Sequence, residues 1–330
     1  MIIARTLLVF SLVGASVASA QTLRPDQASF RALYQELVET NTTLSSGSCT
    51  VAAAQLAGRM KAAGFADAEL IPFAIPEKPK EGGLVAILPG SDIKTRPILL
   101  LAHIDVVEAK REDWVRDPFK LIEEDGYFYA RGASDDKAQT AIFTDILIRM
   151  KQSGRKARRT VKLALTCGEE TNGAFNGAEY LAANRRELID AAFALNEGGG
   201  GRLSVAGERS MLALQVGEKL SHNYTVEAVN KGGHSSMPRP DNAIYALVGA
   251  LGKVRDHVFP VVLTPTTRAF FTKMSTVAGG DAATAMAAVV ANPGDAAAAA
   301  LLSRDATLNA TLRTTCVTTL LDAGDRKSVV

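Results

Sequence analysis

The chain is poor in cysteine, histidine and tryptophan, with three, four and one respectively among 330 residues. Three cysteines cannot build a disulfide-stapled scaffold, and their spacing matches no Cys-rich zinc motif. Charge of either sign is also scarce in excess: Lys+Arg 37 against Asp+Glu 35 leaves a net charge of +2 with no basic cluster. That gives no support for a nucleic-acid or membrane-surface partner. Long apolar runs are lacking too. The stretch over 7–17 is too short to span a membrane, and Arg5 before it and Ala18-Ser19-Ala20 after it make a secretory signal, cleaved near Ala20–Gln21. The mature chain is therefore expected outside the cytoplasm, periplasmic or secreted and free of the membrane. In such an oxidising compartment Cys49, Cys167 and Cys316 allow one disulfide and one free thiol. Sequence does not choose the pair, and Cys167 reads as an inert thiol buried in its strand.

What is present is the composition of a globular protein, 47% hydrophobic and 22% charged, at a length that calls for two domains. Asp26 is placed to cap a helix whose apolar face is Phe30, Leu33, Tyr34, Leu37 and Val38. A second helix over 51–63 stops at Gly64. Strands are expected over 70–73, 84–88, 98–102, 161–167 and 192–195, with helices over 138–151 and 176–184 between them. This alternation predicts a doubly wound α/β sheet covered on both faces. The texture changes near Gly217. An alternating strand is expected over 222–229 and a helix over 243–254. The Ala-rich stretch over 281–309 is broken by Asn292-Pro293-Gly294-Asp295 into a helical hairpin. The expected domains are a catalytic α/β part over 21–216 and a second domain over 217–330.

Four segments put metal-type ligands just after strands or turns: His103-x-Asp105, the Asp135-Asp136 pair in ARGASDDKAQT, Glu169-Glu170 in TCGEETNG, and Glu197 in ALNEGGGG. Each alone has an ordinary explanation as a cap, a solvated acid or a satisfied polar residue. Together they deliver one imidazole and several carboxylates to one edge of an α/β sheet, where such folds place their sites. The set suits zinc, and manganese or cobalt also fit it. One carboxylate can bridge two cations, and an unpaired acid beside a ligand can act as a base toward water.

On these residues the chain resembles the M20 metallopeptidases, the co-catalytic zinc aminoacylase and carboxypeptidase superfamily. HIDVV, Trp114 with Asp117-Pro118-Phe119, DGYFYARGASDDK, GEETNG, NEGGG and GGHSSMP occur in that family's order, from roughly Asp26 to Gly324. The resemblance implies a zinc-peptidase-like catalytic domain with an inserted α+β lid that dimerises. It also implies hydrolysis of a small peptide at its C-terminal residue, or of an N-acyl amino acid, by water activated at two zinc ions. His103 and Glu197 would hold one metal, Glu170 the other, and Asp135 would bridge them across a cis Asp135–Asp136 bond. Asp105 would hydrogen-bond His103, Glu169 would be the general base, and His234 would reach a second subunit's site to stabilise the oxyanion. His222 and His257 match nothing.

The sequence departs from the family after Leu321-Asp322-Ala323-Gly324. Relatives continue there, return to the catalytic domain and supply a last histidine to the second metal. Here the remaining histidines are His222, His234 and His257, and none stands in such a motif. The expectation is a truncated chain with little or no turnover, and the alternative function is a remnant that binds metal or peptide without catalysis.

Overall fold

The computed structural model describes residues 23–171, 174–204 and 206–324. The segment expected to be a secretory signal, Asn172-Gly173 of the GEETNG motif and residues 325–330 lie outside the described residues. No helix among the described residues is long and apolar enough to cross a membrane. The chain divides into two compact units, one ending at Gly198 and the other beginning at Gly199.

The first unit is a five-stranded mixed sheet with helices on both faces. Its strands are β1 (Leu70–Phe73), β2 (Gly83–Leu88), β3 (Ile98–His103), β6 (Val161–Thr166) and β7 (Phe193–Leu195), in the spatial order β1-β2-β6-β3-β7. A separate hairpin is formed by β4 (Ile122–Glu124) and β5 (Tyr127–Tyr129). The sheet is parallel where β3 lies between β6 and β7, and antiparallel where β1 and β2 extend it. Side chains alternate across the pleat, so β1, β2, β3 and β6 each feed two cores. Ala86, Leu100 and Leu163 face α1 (Pro25–Glu39), α2 (Cys49–Ala62) and α3 (Lys137–Gln152). Val85, Leu99 and Ala164 face the side covered by α4 (Gly177–Asn184) and α5 (Arg186–Ile189). This is the α/β arrangement expected of the sequence.

Two local expectations are corrected. Asp26 does not cap α1. Pro25 fixes the helix start, Arg24 is the cap residue, and its N–H donates to Gln27 Oε1 at 3.0 Å. Asp26 instead pairs with Arg24 and Arg149 from the first turn. Cys167 is not an inert thiol: it forms a disulfide with Cys49, the first residue of α2, while Cys316 is free and exposed. The partners are separated by 118 residues, so no local pattern joins them.

The second unit holds a hairpin of β8 (Gly200–Leu203) and β9 (Arg209–Ala213), followed by α6 (Ala243–Asp256), α7 (Pro265–Met274), α8 (Gly280–Ala291), α9 (Ala296–Leu302) and α10 (Ala306–Leu312). Its core gathers Phe271, Met286, Val289, Leu302 and Leu312. The break at Asn292–Asp295 is real, with Asp295 capping α9 through Ala298 N–H at 3.0 Å. The expected strand over 222–229 is not formed, and its residues are exposed apart from Ala228. Alternation specifies a strand only when a neighbour offers a ladder to pair with, and no described strand pairs with this segment.

Candidate metal centre

The apolar run of β3 ends on His103, which pairs in register with Thr166 of β6. Because β3, β6 and β7 run parallel, all three release their chains at the same sheet edge. His103 stands at the end of the first, Glu169 and Glu170 follow the second, and Glu197 follows the third. Asp135 arrives differently. It does not follow a strand of this sheet but sits in the turn between the β4–β5 hairpin and α3. The packing of α3 on β3 carries it over, and Thr140 Oγ1 donates to the His103 carbonyl at 3.0 Å. The Asp135–Asp136 peptide bond is cis.

The donor atoms converge. His103 Nε2 lies 3.0 Å from Asp135 Oδ1 and 3.6 Å from Glu197 Oε2. Ligand-type atoms of His103, Glu169 and Glu197 lie within 4.8 Å of one another, as do those of His103, Asp135 and Glu170. His103 is buried, Glu170 and Glu197 are half-buried, and Asp135 and Glu169 are exposed. On the far side of the imidazole, Nδ1 is 3.1 Å from the Asp105 carbonyl and 3.5 Å from its carboxylate Oδ1. An Nδ1–H donated to that carbonyl keeps Nε2 facing the acids. Asp105 Oδ2 accepts the Glu170 N–H at 3.0 Å, which ties the acid-bearing loop to the histidine strand.

The groups of the cluster perturb one another. Burial by itself lowers the basicity of His103, but the Asp105 carboxylate and then Glu197 and Asp136 outweigh it and push the imidazole up to about 10. Burial pushes Asp136 up to about 7, with Glu197 and Asp135 adding repulsion against the opposing pull of His103. Burial also raises Glu170, again with Asp135 adding to it. Carboxylates this close repel one another, and a proton on His103 offsets that charge. A divalent cation would do so more fully, and one imidazole with several oxygens is a donor set it accepts.

Sequence reasoning missed three supporting residues. Lys137 is wholly buried, its Nζ donates to the Thr40 carbonyl at 2.7 Å, and burial pulls it down to about 7. Thr140 fixes α3 to β3, as above. Gly168 turns the chain sharply after Cys167 at φ +87, where a Cβ would lie 2.0 Å from the Phe175 carbonyl oxygen. The glycine alone was a readable signal; a lysine and a threonine in a helix are too ordinary to announce such roles. His234 belongs to the second unit, is exposed, and accepts from Ser236 N–H at 3.2 Å through Nδ1.

A mixed sheet covered by helices, with ligand-type residues at its parallel strand ends, places the first unit in the α/β class. Within that class the chain belongs to the M20 metallopeptidases, a metal-dependent family of hydrolases: the sequence model of peptidase family M20/M25/M40 matches residues 99–301. It is 34% identical over 173 residues to the N-fatty-acyl-amino acid synthase/hydrolase PM20D1 of Xenopus tropicalis, covering 52% of this chain and 34% of that protein. It is 30% identical over 250 residues to a probable carboxypeptidase S-like 2 of Dictyostelium discoideum, covering 73% of this chain and 47% of that one. The chain thus spans less than half the length of these relatives. An M20 family metallo-carboxypeptidase from Sulfolobus solfataricus shares the fold, with a TM-score of 0.51 at 19% identity over 76% of this chain and 56% of its own.

Proposed function

We propose that this chain is a zinc-dependent amidohydrolase that removes the acyl group from N-acyl amino acids or the C-terminal residue from small peptides. The observation that carries this reading is the convergence of His103 Nε2 with oxygens of Asp135, Glu169, Glu170 and Glu197 at one sheet edge. The relatives whose names describe fatty-acyl-amino acid hydrolysis and carboxypeptidase action support the substrate class.

His103 and Glu197 would hold one cation, Glu170 a second, and Asp135 would lie between them. When bound, the metal supplies Lewis acidity toward water and the substrate carbonyl. Asp105 orients His103 and keeps its Nε2 directed inward. Glu169, exposed at the mouth of the cluster, takes the proton from the attacking water and delivers it to the leaving amine. His234 of a second copy would donate to the oxyanion, which makes the functional unit a homodimer assembled through the second domain. The Cys49–Cys167 disulfide supports an oxidising compartment, periplasmic or extracellular.

Metal analysis of the purified chain, combined with assays on N-acyl amino acids and dipeptides, tests the proposal. Bound zinc with turnover that a chelator abolishes supports it. Bound metal with no turnover on either class favours metal or peptide binding without catalysis instead, and no bound metal overturns the reading.

A further inference from the structure

We infer that the Cys49–Cys167 disulfide positions the acid-bearing loop of the metal centre, holding Glu169 and Glu170 at the sheet edge. The functional half of this inference rests on the metal-centre reading above. Cys167 is the first residue beyond β6 and stands two residues before Glu169. Its partner opens α2, a helix anchored in the core by Leu56 and Met60. One end of the crosslink is therefore fixed to rigid structure, and the other enters the loop at its base.

The disulfide is the covalent tie at the base of this loop. Gly168 offers no side chain and turns the backbone through a left-handed conformation. A cavity of about 280 Å³ borders the loop, lined by residues that include Thr42, Ser48, Asp105, the two disulfide cysteines and Gly168. One wall residue of that cavity, Thr42, is buried with its Oγ1 lacking a hydrogen-bond partner. Among the described residues its other ties include hydrogen bonds: Gly177 N–H to the Cys167 carbonyl at 2.8 Å, Asn176 Nδ2–H to the Gly168 carbonyl at 3.4 Å, and Glu170 N–H to Asp105 Oδ2 at 3.0 Å. Removing the covalent tie leaves the placement of two acids dependent on those contacts. Cys49 and Cys167 are thus positioning residues, touching neither metal nor substrate.

Cobalt(II) titration followed by absorption separates positioning from general stabilisation. C49A/C167A is compared with wild type and with L181A, which removes a buried side chain from the opposite face of the sheet. The expected result is cobalt affinity at least about tenfold weaker in C49A/C167A with an altered spectrum. L181A should melt earlier but stay within about twofold of wild type in affinity, being remote from the loop. A C49A/C167A chain that melts earlier while binding cobalt with unchanged affinity and spectrum overturns the inference. If wild type binds no cobalt, the metal reading fails, and amide exchange decides the positioning separately. Residues 168–170 protected as well as β6 in wild type support it, and exchange as fast as the exposed 222–229 segment overturns it. That measurement also decides the matter if the cysteine-free chain does not fold.

Discussion

The imidazole of His103 and the carboxylate of Asp135 meet at 3.0 Å although they are separated by 32 residues and come from different elements. One ends a buried strand of the main sheet; the other sits in a turn outside that sheet. Their meeting gathers the strand-end acids and the histidine into one candidate site. His103→Ala should therefore abolish tight zinc binding, while Asp135→Asn should weaken it by about 10- to 100-fold, read by competition with a chromogenic chelator. Retention of full zinc affinity in H103A would remove the histidine from the site.

Zinc binding should release protons. With its pKa pushed up to about 10, His103 is protonated at pH 7 in the metal-free chain, and a ligand imidazole must be neutral. Affinity should therefore rise by up to about tenfold per pH unit between pH 7 and 9, flattening toward pH 10 as His103 loses its proton unaided. Calorimetry in buffers of different ionisation enthalpy counts the protons, and a pH-independent affinity would contradict the assignment.

Glu169→Gln should leave bound zinc unchanged and lower kcat by about 10²- to 10⁴-fold, since it removes a base but not a required donor. Loss of metal in this variant would instead make Glu169 a ligand, a role its closeness to His103 and Glu197 also permits.

Lys137→Ala should destabilise the fold by about 2–4 kcal/mol, combining a buried cavity with an unsatisfied Thr40 carbonyl. Lys137→Met, which keeps the volume and loses only the hydrogen bond, should cost about 1–2 kcal/mol. Denaturant melts at pH 8 distinguish them, and equal effects would show that the hydrogen bond dominates.

Inactive E169Q and H234A chains, mixed and allowed to exchange subunits, should recover roughly a quarter of wild-type activity if His234 serves the site of a second copy. No recovery after verified exchange would place His234 outside the reaction.

Much of the fold was legible because burial writes itself into short-range pattern. The runs over 70–73, 84–88 and 98–102 are strands within a residue of their expected ends, and α1 buries Leu33, Tyr34, Leu37 and Val38 at helical spacing. The segment over 222–229 failed the same reading, because alternation describes a half-buried strand only when a partner strand exists to bury one face. Pro25 overruled Asp26 for the start of α1, since a fixed φ outweighs a capping preference one residue away.

By itself the sequence determined which residue types stand at each strand end: His103 after an apolar run, paired acids after another, Glu197 after a third. Local chemistry suffices for that, because strands are set by side-chain period and site residues follow them in the chain. Tertiary structure decided which of these residues meet. Parallel pairing of β3 with β6 and β7 put three strand ends on one edge, and α3 brought Asp135 there from outside the sheet. It also chose Cys49 over Cys316 as the partner of Cys167. The physical reason is the same in each case: proximity across the fold depends on how apolar faces pack, and that information is spread over the whole chain rather than written beside any one residue.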